Sequence, residues 1–96
     1  MELRVLKYFL MIAREENITR AAQLLHVTQP TLSRQIKELE EDLGTKLFER
    51  SNHRIILTQD GLLLRRRAQE IVELTERTEK DFAHKDEELT GEIAIG

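Results

Sequence analysis

Between Thr28 and Arg34 the chain carries three hydroxyls, an amide and a guanidinium, on Thr28, Gln29, Thr31, Ser33 and Arg34. Side chains of these types exchange hydrogen bonds with phosphates and with the edges of nucleobases. Arg binds guanine through two bonds and Gln does so with adenine, each discriminating between bases by ~1–3 kcal/mol. Covalent chemistry has no comparable set of residues. The sequence holds 0 cysteines, which excludes disulfides, thiolate metal sites and a cysteine nucleophile, and fits a reducing cytoplasm. It shows no glycine-rich phosphate loop, no metal-ligand cluster and no nucleophile–base pair. The chemistry on offer is recognition, with no catalytic residue, metal or cofactor expected in this chain.

Net charge is −3, which taken alone argues against a nucleic-acid partner. Its distribution reverses that. Residues 1–67 hold 12 Lys/Arg against 9 Asp/Glu, whereas residues 68–96 hold 3 against 9. Phosphate contacts respond to the local field, so the first part suits DNA and the last does not. The longest apolar run, Tyr8 to Ala13, is six residues. A membrane span needs about 20, and Met1-Glu2-Leu3-Arg4 does not open a secretion signal.

A first helix over about 2–14 is expected from Leu3, Leu6, Leu10 and Ala13 at spacings of three and four, with Val5, Phe9 and Ile12 beside them. A short second helix carries Ala21, Ala22, Leu24 and Leu25, with Thr19 as its N-cap. After the turn at His26-Val27, Thr28 caps a third helix over about Gln29–Leu43, with Pro30 in its first turn and Gly44 at its end. Leu32, Ile36, Leu39 and Leu43 cluster within ~40° on that helix, and Arg34 and Lys37 lie nearly opposite. Two helices joined by a short turn, the first with small Ala21-Ala22 where the second must cross closely, suit a helix-turn-helix. Extended stretches at Lys46–Glu49 and Arg54–Leu57, joined by a polar connector, form a hairpin or wing. Acids crowd the last turn of the third helix (Glu38, Glu40, Glu41, Asp42) against its dipole. They either steer its N-terminal end toward phosphate or simply pair as Arg34–Glu38 and Lys37–Glu41.

Thr58 caps a fourth helix expected to reach about Glu88. Leu64, Ala68, Ile71, Thr75, Thr78 and Phe82 repeat at 4-3-4-3-4, a heptad seam flanked by Leu63, Val72 and Leu74. A lone helix of that length exposes most of this stripe, so a second copy is expected to cover it, with Leu64, Ala68, Ile71, Leu74, Thr75, Thr78 and Phe82 in the contact. Ile93 and Ile95 alternate as in a first strand, and one strand cannot pair with itself. The chain therefore reads as the front of a longer protein.

Residues 18–37, ITRAAQLLHVTQPTLSRQIK, resemble the helix-turn-helix of LysR-type transcriptional regulators, and ELEEDLGTKLFER with LTQDG resembles the rest of their N-terminal domain. The matching positions, among them Ala21-Ala22, Gln29-Pro30, Leu32-Ser33, Leu43-Gly44, Leu47-Phe48 and Thr58 with Gly61, run in register over 1–67. Two details depart: Thr31 stands where the family usually has Ala or Pro, and Asn52-His53 is not its commonest wing tip. The resemblance implies a mostly α fold, a winged helix-turn-helix of three helices and a short β-hairpin over 1–58. A linker/dimerisation helix over 59–89 and the start of an effector-binding domain at 90–96 would follow.

It further implies Gln29, Pro30, Thr31, Ser33 and Arg34 against the major groove and Lys37 near phosphate. Thr19 and Arg20 would hold backbone, and Arg50, His53 and Arg54 would meet phosphate or the minor groove. The implied protein is cytoplasmic, bacterial and sequence-specific for double-stranded promoter DNA. It acts as a homodimer or, when full length, a dimer of dimers, and responds to a small-molecule effector. The alternative is a helical dimerisation or protein-interaction module whose helix-turn-helix is structural. Bland roles accompany the sharp ones: Thr19 and Thr28 as caps, His26 as a turn residue, Arg50 paired with Glu49, and Arg65-Arg66-Arg67 paired with Glu70 and Glu73.

Overall fold

The computed structural model describes the backbone of residues 1–95 and the side chains of 1–85. Three helices, α1 (Leu3–Glu15), α2 (Ile18–Leu25) and α3 (Gln29–Leu43), precede the strands β1 (Phe48–Ser51) and β2 (Arg54–Leu57). A fourth helix, α4 (Gln59–Ile95), closes the order. This is the mostly α, winged arrangement expected from the sequence.

Each helix ends where its capping residues dictate. Thr28 is extended (φ −78°, ψ 151°), and its hydroxyl accepts from the Thr31 amide at 3.3 Å. Gly44 takes the left-handed conformation at φ 71°, which stops α3. Thr19 does not cap α2. Asn17 does, its side chain accepting from the Arg20 amide at 2.9 Å, and Thr19 lies within the helix. Asn is the better cap of the two, and the end of α1 agrees with it, since Glu16 at φ 55° turns the chain so that Asn17 is the first extended residue.

The core is wholly apolar among the described residues: Leu6, Phe9 and Ile12 from α1, Ala21 and Ala22 from α2, and Leu32, Ile36 and Leu39 from α3. Leu47, Leu64 and Ala68 complete it. The buried line of α1 is therefore Leu6–Phe9–Ile12, and Leu3, Leu10 and Ala13 sit half-buried at its edge. Leu43, at the end of the α3 stripe, is 42% exposed because the core stops one turn earlier, at Leu39. Ala21 and Ala22 are nearly inaccessible, which lets α2 cross its neighbours closely.

The wing begins later than expected. The β1 strand is Phe48–Ser51 rather than 46–49, and pairs antiparallel with β2 in the register Phe48↔Leu57 to Ser51↔Arg54. Asn52 (φ 47°) and His53 (φ 65°) form a two-residue turn with both φ positive, the pattern of tight hairpins. Lys46 and Leu47 are withheld from the ladder because other groups claim them. The Glu40 carboxylate accepts the Leu47 amide at 2.7 Å, and the Leu47 carbonyl accepts the Thr58 amide at 3.0 Å. The Thr58 hydroxyl donates to the Lys46 carbonyl at 2.7 Å and accepts from the Gly61 amide at 3.0 Å. Glu40 thus holds the foot of the wing, so at least one of the late α3 acids has a structural task. Phe48 anchors the hairpin to the body, its ring centroid 5.2 Å from that of Phe9.

Two further expectations change along α4. Helix continues through Ile95, so the strand expected at Ile93–Ile95 is not formed; Gly96 lies outside the described residues. Helical hydrogen bonds are satisfied within the segment itself, whereas a strand needs a neighbour. The head also does not stop at residue 58. Leu64 (8% exposed) and Ala68 (0%) are buried in its core, and so are not open to a second chain. Among the described residues no helix is long and apolar enough to cross a membrane.

Candidate nucleic-acid interface

The helix α3 is two-sided. Leu32, Ile36 and Leu39 are buried, and Gln29, Pro30, Arg34 and Lys37 are exposed on the opposite side, with Ser33 and Thr31 half-buried at the margins. The recognition residues expected from the sequence therefore share one accessible edge. Its first turn is internally bonded. Thr28 donates through its hydroxyl to the Thr31 hydroxyl at 2.8 Å, and the Gln29 amide donates to the Ser33 hydroxyl at 3.1 Å. Such i,i+3 and i,i+4 bonds narrow the rotamers of short polar side chains before any ligand arrives. In the second turn, Arg34 and Lys37 make no ion pair among the described residues, so the expected Arg34–Glu38 and Lys37–Glu41 pairs are not formed. Two cations without an ion pair thus stand on the exposed side of α3.

The wing faces the same region. Ser33 and Lys37 from α3 line one cleft of about 660 Å³ together with Phe48, Glu49 and Arg50 of β1. Arg50 is exposed and forms no ion pair with Glu49 among the described residues. Lys46, which sequence reasoning did not single out, lines this cleft too. Its only signal was its place at the start of the first expected strand, Lys46–Glu49. His53 occupies the hairpin turn itself and is exposed.

Two expected contacts, Arg20 and Arg54, are engaged within the fold, and Thr19 keeps its exposure but not its expected cap. Thr19 is exposed in the first turn of α2, capping nothing. The Arg20 guanidinium is bonded to Glu15 at 3.1 Å. Hydrogen bonds to Glu15 from Arg14 and then from Arg20 hold that carboxyl below the usual carboxylate range. Arg54 is likewise engaged, with one nitrogen 3.0 Å from each carboxylate oxygen of Glu16. Glu16 was not anticipated at all, since nothing local marks a glutamate for a left-handed backbone position.

On α4 the heptad seam divides. Leu64 and Ala68 belong to the core, whereas Ile71, Leu74 and Phe82 are 37%, 59% and 64% exposed. Thr75 is half-buried and Thr78 exposed. Their hydroxyls donate to the carbonyls of Ile71 (2.9 Å) and Leu74 (2.7 Å), which leaves the stripe with no unmet threonine donor. Arg67 pairs with Glu70 at 3.1 Å, as a solvated helix face would.

Residues 3–62 match the family model of the bacterial regulatory helix-turn-helix protein, lysR family. The HTH-type transcriptional regulator BsdA of Bacillus subtilis (strain 168) is 42% identical over 97 residues, covering 100% of this chain and 33% of its own length. The HTH-type transcriptional regulator BudR of Klebsiella aerogenes is 42% identical over 96 residues, covering 100% of this chain and 67% of its own. Among solved structures, the CbnR_DBD-DNA complex superposes with a TM-score of 0.83 at 43% identity, covering 88% of this chain and 97% of that one. The chain spans about a third of the length of BsdA.

Proposed function

Because the chain belongs to the lysR family of bacterial regulatory helix-turn-helix proteins, we propose that it is the DNA-reading end of a transcription regulator that binds promoter duplex sequence-specifically as a dimer. One observation carries this reading. The exposed edge of α3 presents Gln29, Arg34 and Lys37, the last lining a cleft with Arg50, while Leu32, Ile36 and Leu39 on the opposite side are buried in the core. Gln29, Pro30, Thr31, Ser33 and Arg34 are assigned to the major groove, with Lys37 and Thr19 at the phosphates. Arg50 and His53 are assigned to the flanking duplex. The likeness to CbnR_DBD, solved as a DNA complex, supports DNA as the partner. The proposal extends to the full-length protein: cytoplasmic, not an enzyme, dimeric or a dimer of dimers, and governed by a small-molecule effector.

Selection of binding sites from random duplex by gel shift tests the reading directly. An enriched motif with two related half-sites is expected, because two symmetric heads read two copies of one sequence about a helical turn, or a multiple of it, apart. Affinity for that motif should fall linearly in log[salt], with a slope near −0.9 for each phosphate contacted. No enrichment and a flat salt response would leave only the interaction-module reading.

The dimer contact is assigned to the exposed part of the α4 stripe, Ile71, Leu74, Thr75, Thr78 and Phe82. Replacing Ile71 by glutamate puts a charge into that stripe and leaves the head's core untouched. Sedimentation should then report a monomer with an unchanged helical spectrum. An unaltered dimer mass would remove this face as the interface.

A further inference from the structure

Glu16 and Arg54 stand 38 positions apart in sequence and meet beside the turn of the wing, where Arg54 pairs with Ser51. Glu16 ends α1 in the left-handed conformation, with φ 55° and its amide donating to the Ile12 carbonyl at 2.8 Å. From there it holds two successive residues of β2. Its carbonyl accepts the Ile55 amide at 3.2 Å, and both of its carboxylate oxygens lie 3.0 Å from one Arg54 nitrogen. Asn17, the cap of α2, follows directly. One residue therefore ties the wing to the start of the helix-turn-helix through backbone and side chain together. The neighbouring acid, Glu15, does not compete for Arg54, because it is occupied by Arg14 and Arg20.

We propose that Arg54 is a positioning residue rather than a DNA contact: bonded to Glu16, it sets the angle at which the wing stands beside α3. It thereby sets how Arg50 and His53 reach the duplex that flanks the α3 site. The proposal rests on the DNA-reading function given above. Residues 16–19 and 50–55 line a cleft of about 460 Å³, so the hairpin tip faces the start of α2 and the Glu16–Arg54 bond ties the two elements there. The contrast with Arg34 and Arg50 is the second support. Those two carry no acid partner among the described residues, as groups kept for phosphate or base should, whereas Arg54 spends its charge within the fold.

The test measures duplex affinity by fluorescence anisotropy across a salt series, on the selected site with its enriched flanks and with scrambled flanks. The variants are Glu16→Gln, Arg54→Gln, both together, and the exchange of Glu16→Arg with Arg54→Glu. For a partly exposed pair, each single variant should lose about twofold to fivefold on the enriched flanks. The loss should vanish on scrambled flanks. The double variant should be no worse than either single one, the exchanged pair should recover, and the salt slope should hold. If Glu16 merely competes with phosphate for Arg54, Glu16→Gln tightens binding and Arg54→Gln flattens the slope by about 0.9 per head. Either result overturns the proposal, as does affinity that no variant moves. Should the unaltered protein bind no duplex, the DNA reading fails, and amide exchange still judges the clamp. Faster exchange at Ile55 in both single variants, with α3 unchanged, supports it; unaltered exchange at Ile55 overturns it.

Discussion

Arg34→Ala should lower affinity for the selected site by about 5- to 150-fold, the equivalent of ~1–3 kcal/mol for a lost bidentate base contact. Binding to random duplex should change little. Three observations lead to this. Arg34 is exposed, lies opposite Leu32 and Leu39, and makes no ion pair among the described residues. Its removal therefore costs the fold almost nothing, and the whole effect appears in binding. Selection repeated with the variant should show relaxed preference at one position in each half-site. Lys37 supplies the contrast, being one turn further along and at the margin of the cleft with the wing. Lys37→Ala should weaken all duplexes nearly alike and reduce the salt slope by about 1. An Arg34→Ala protein that kept the full motif would transfer base reading to Gln29 and Ser33.

Gly61→Ala should unfold the head at a temperature on the order of 10 °C lower, from a loss of about 2–3 kcal/mol. The methyl group would sit 2.2 Å from the Leu47 carbonyl oxygen and 2.9 Å from a Leu57 methyl. The oxygen cannot simply retreat, because it accepts the Thr58 amide at 3.0 Å. Nor can the helix, because the Gly61 amide is held by the Thr58 hydroxyl. A flexible side chain would absorb the intrusion; a backbone carbonyl bonded to the next helix does not. Thermal melts by circular dichroism decide the matter, and an unshifted midpoint would mean that the junction of β2 and α4 gives way without cost. At Gly44 the reason for glycine differs. No atom lies within 4 Å of the position a methyl would take, and the constraint is the φ of 71° alone.

What the sequence showed beforehand were the features decided locally. The bounds of α3, the caps at Thr28 and Thr58 and the stop at Gly44 each depend on residues within one turn, and each was readable. The exposed edge of α3 followed from periodicity alone. Decisions taken at a distance were not readable. Asn17 and Thr19 compete as caps two residues apart, and the turn at Glu16 makes Asn17 the extended one. The start of β1 depends on Glu40, seven residues back, claiming the Leu47 amide. Heptad spacing marks Leu64 and Ala68 as apolar but cannot say whether their neighbour is α1 or a second copy. The partner of Arg54 lies on another element, and a basic residue beside a wing reads the same whether it meets phosphate or glutamate.

That sharing of α4 between core and stripe has a mechanical meaning. Leu64 and Ala68 are seated in the head, and the same unbroken helix carries Ile71, Leu74 and Phe82 outside it. No proline interrupts this rod, since the chain's one proline is Pro30. A torque applied near Phe82 therefore arrives at Ala68 undiminished by any hinge, and the reading head turns with the shaft that bears it.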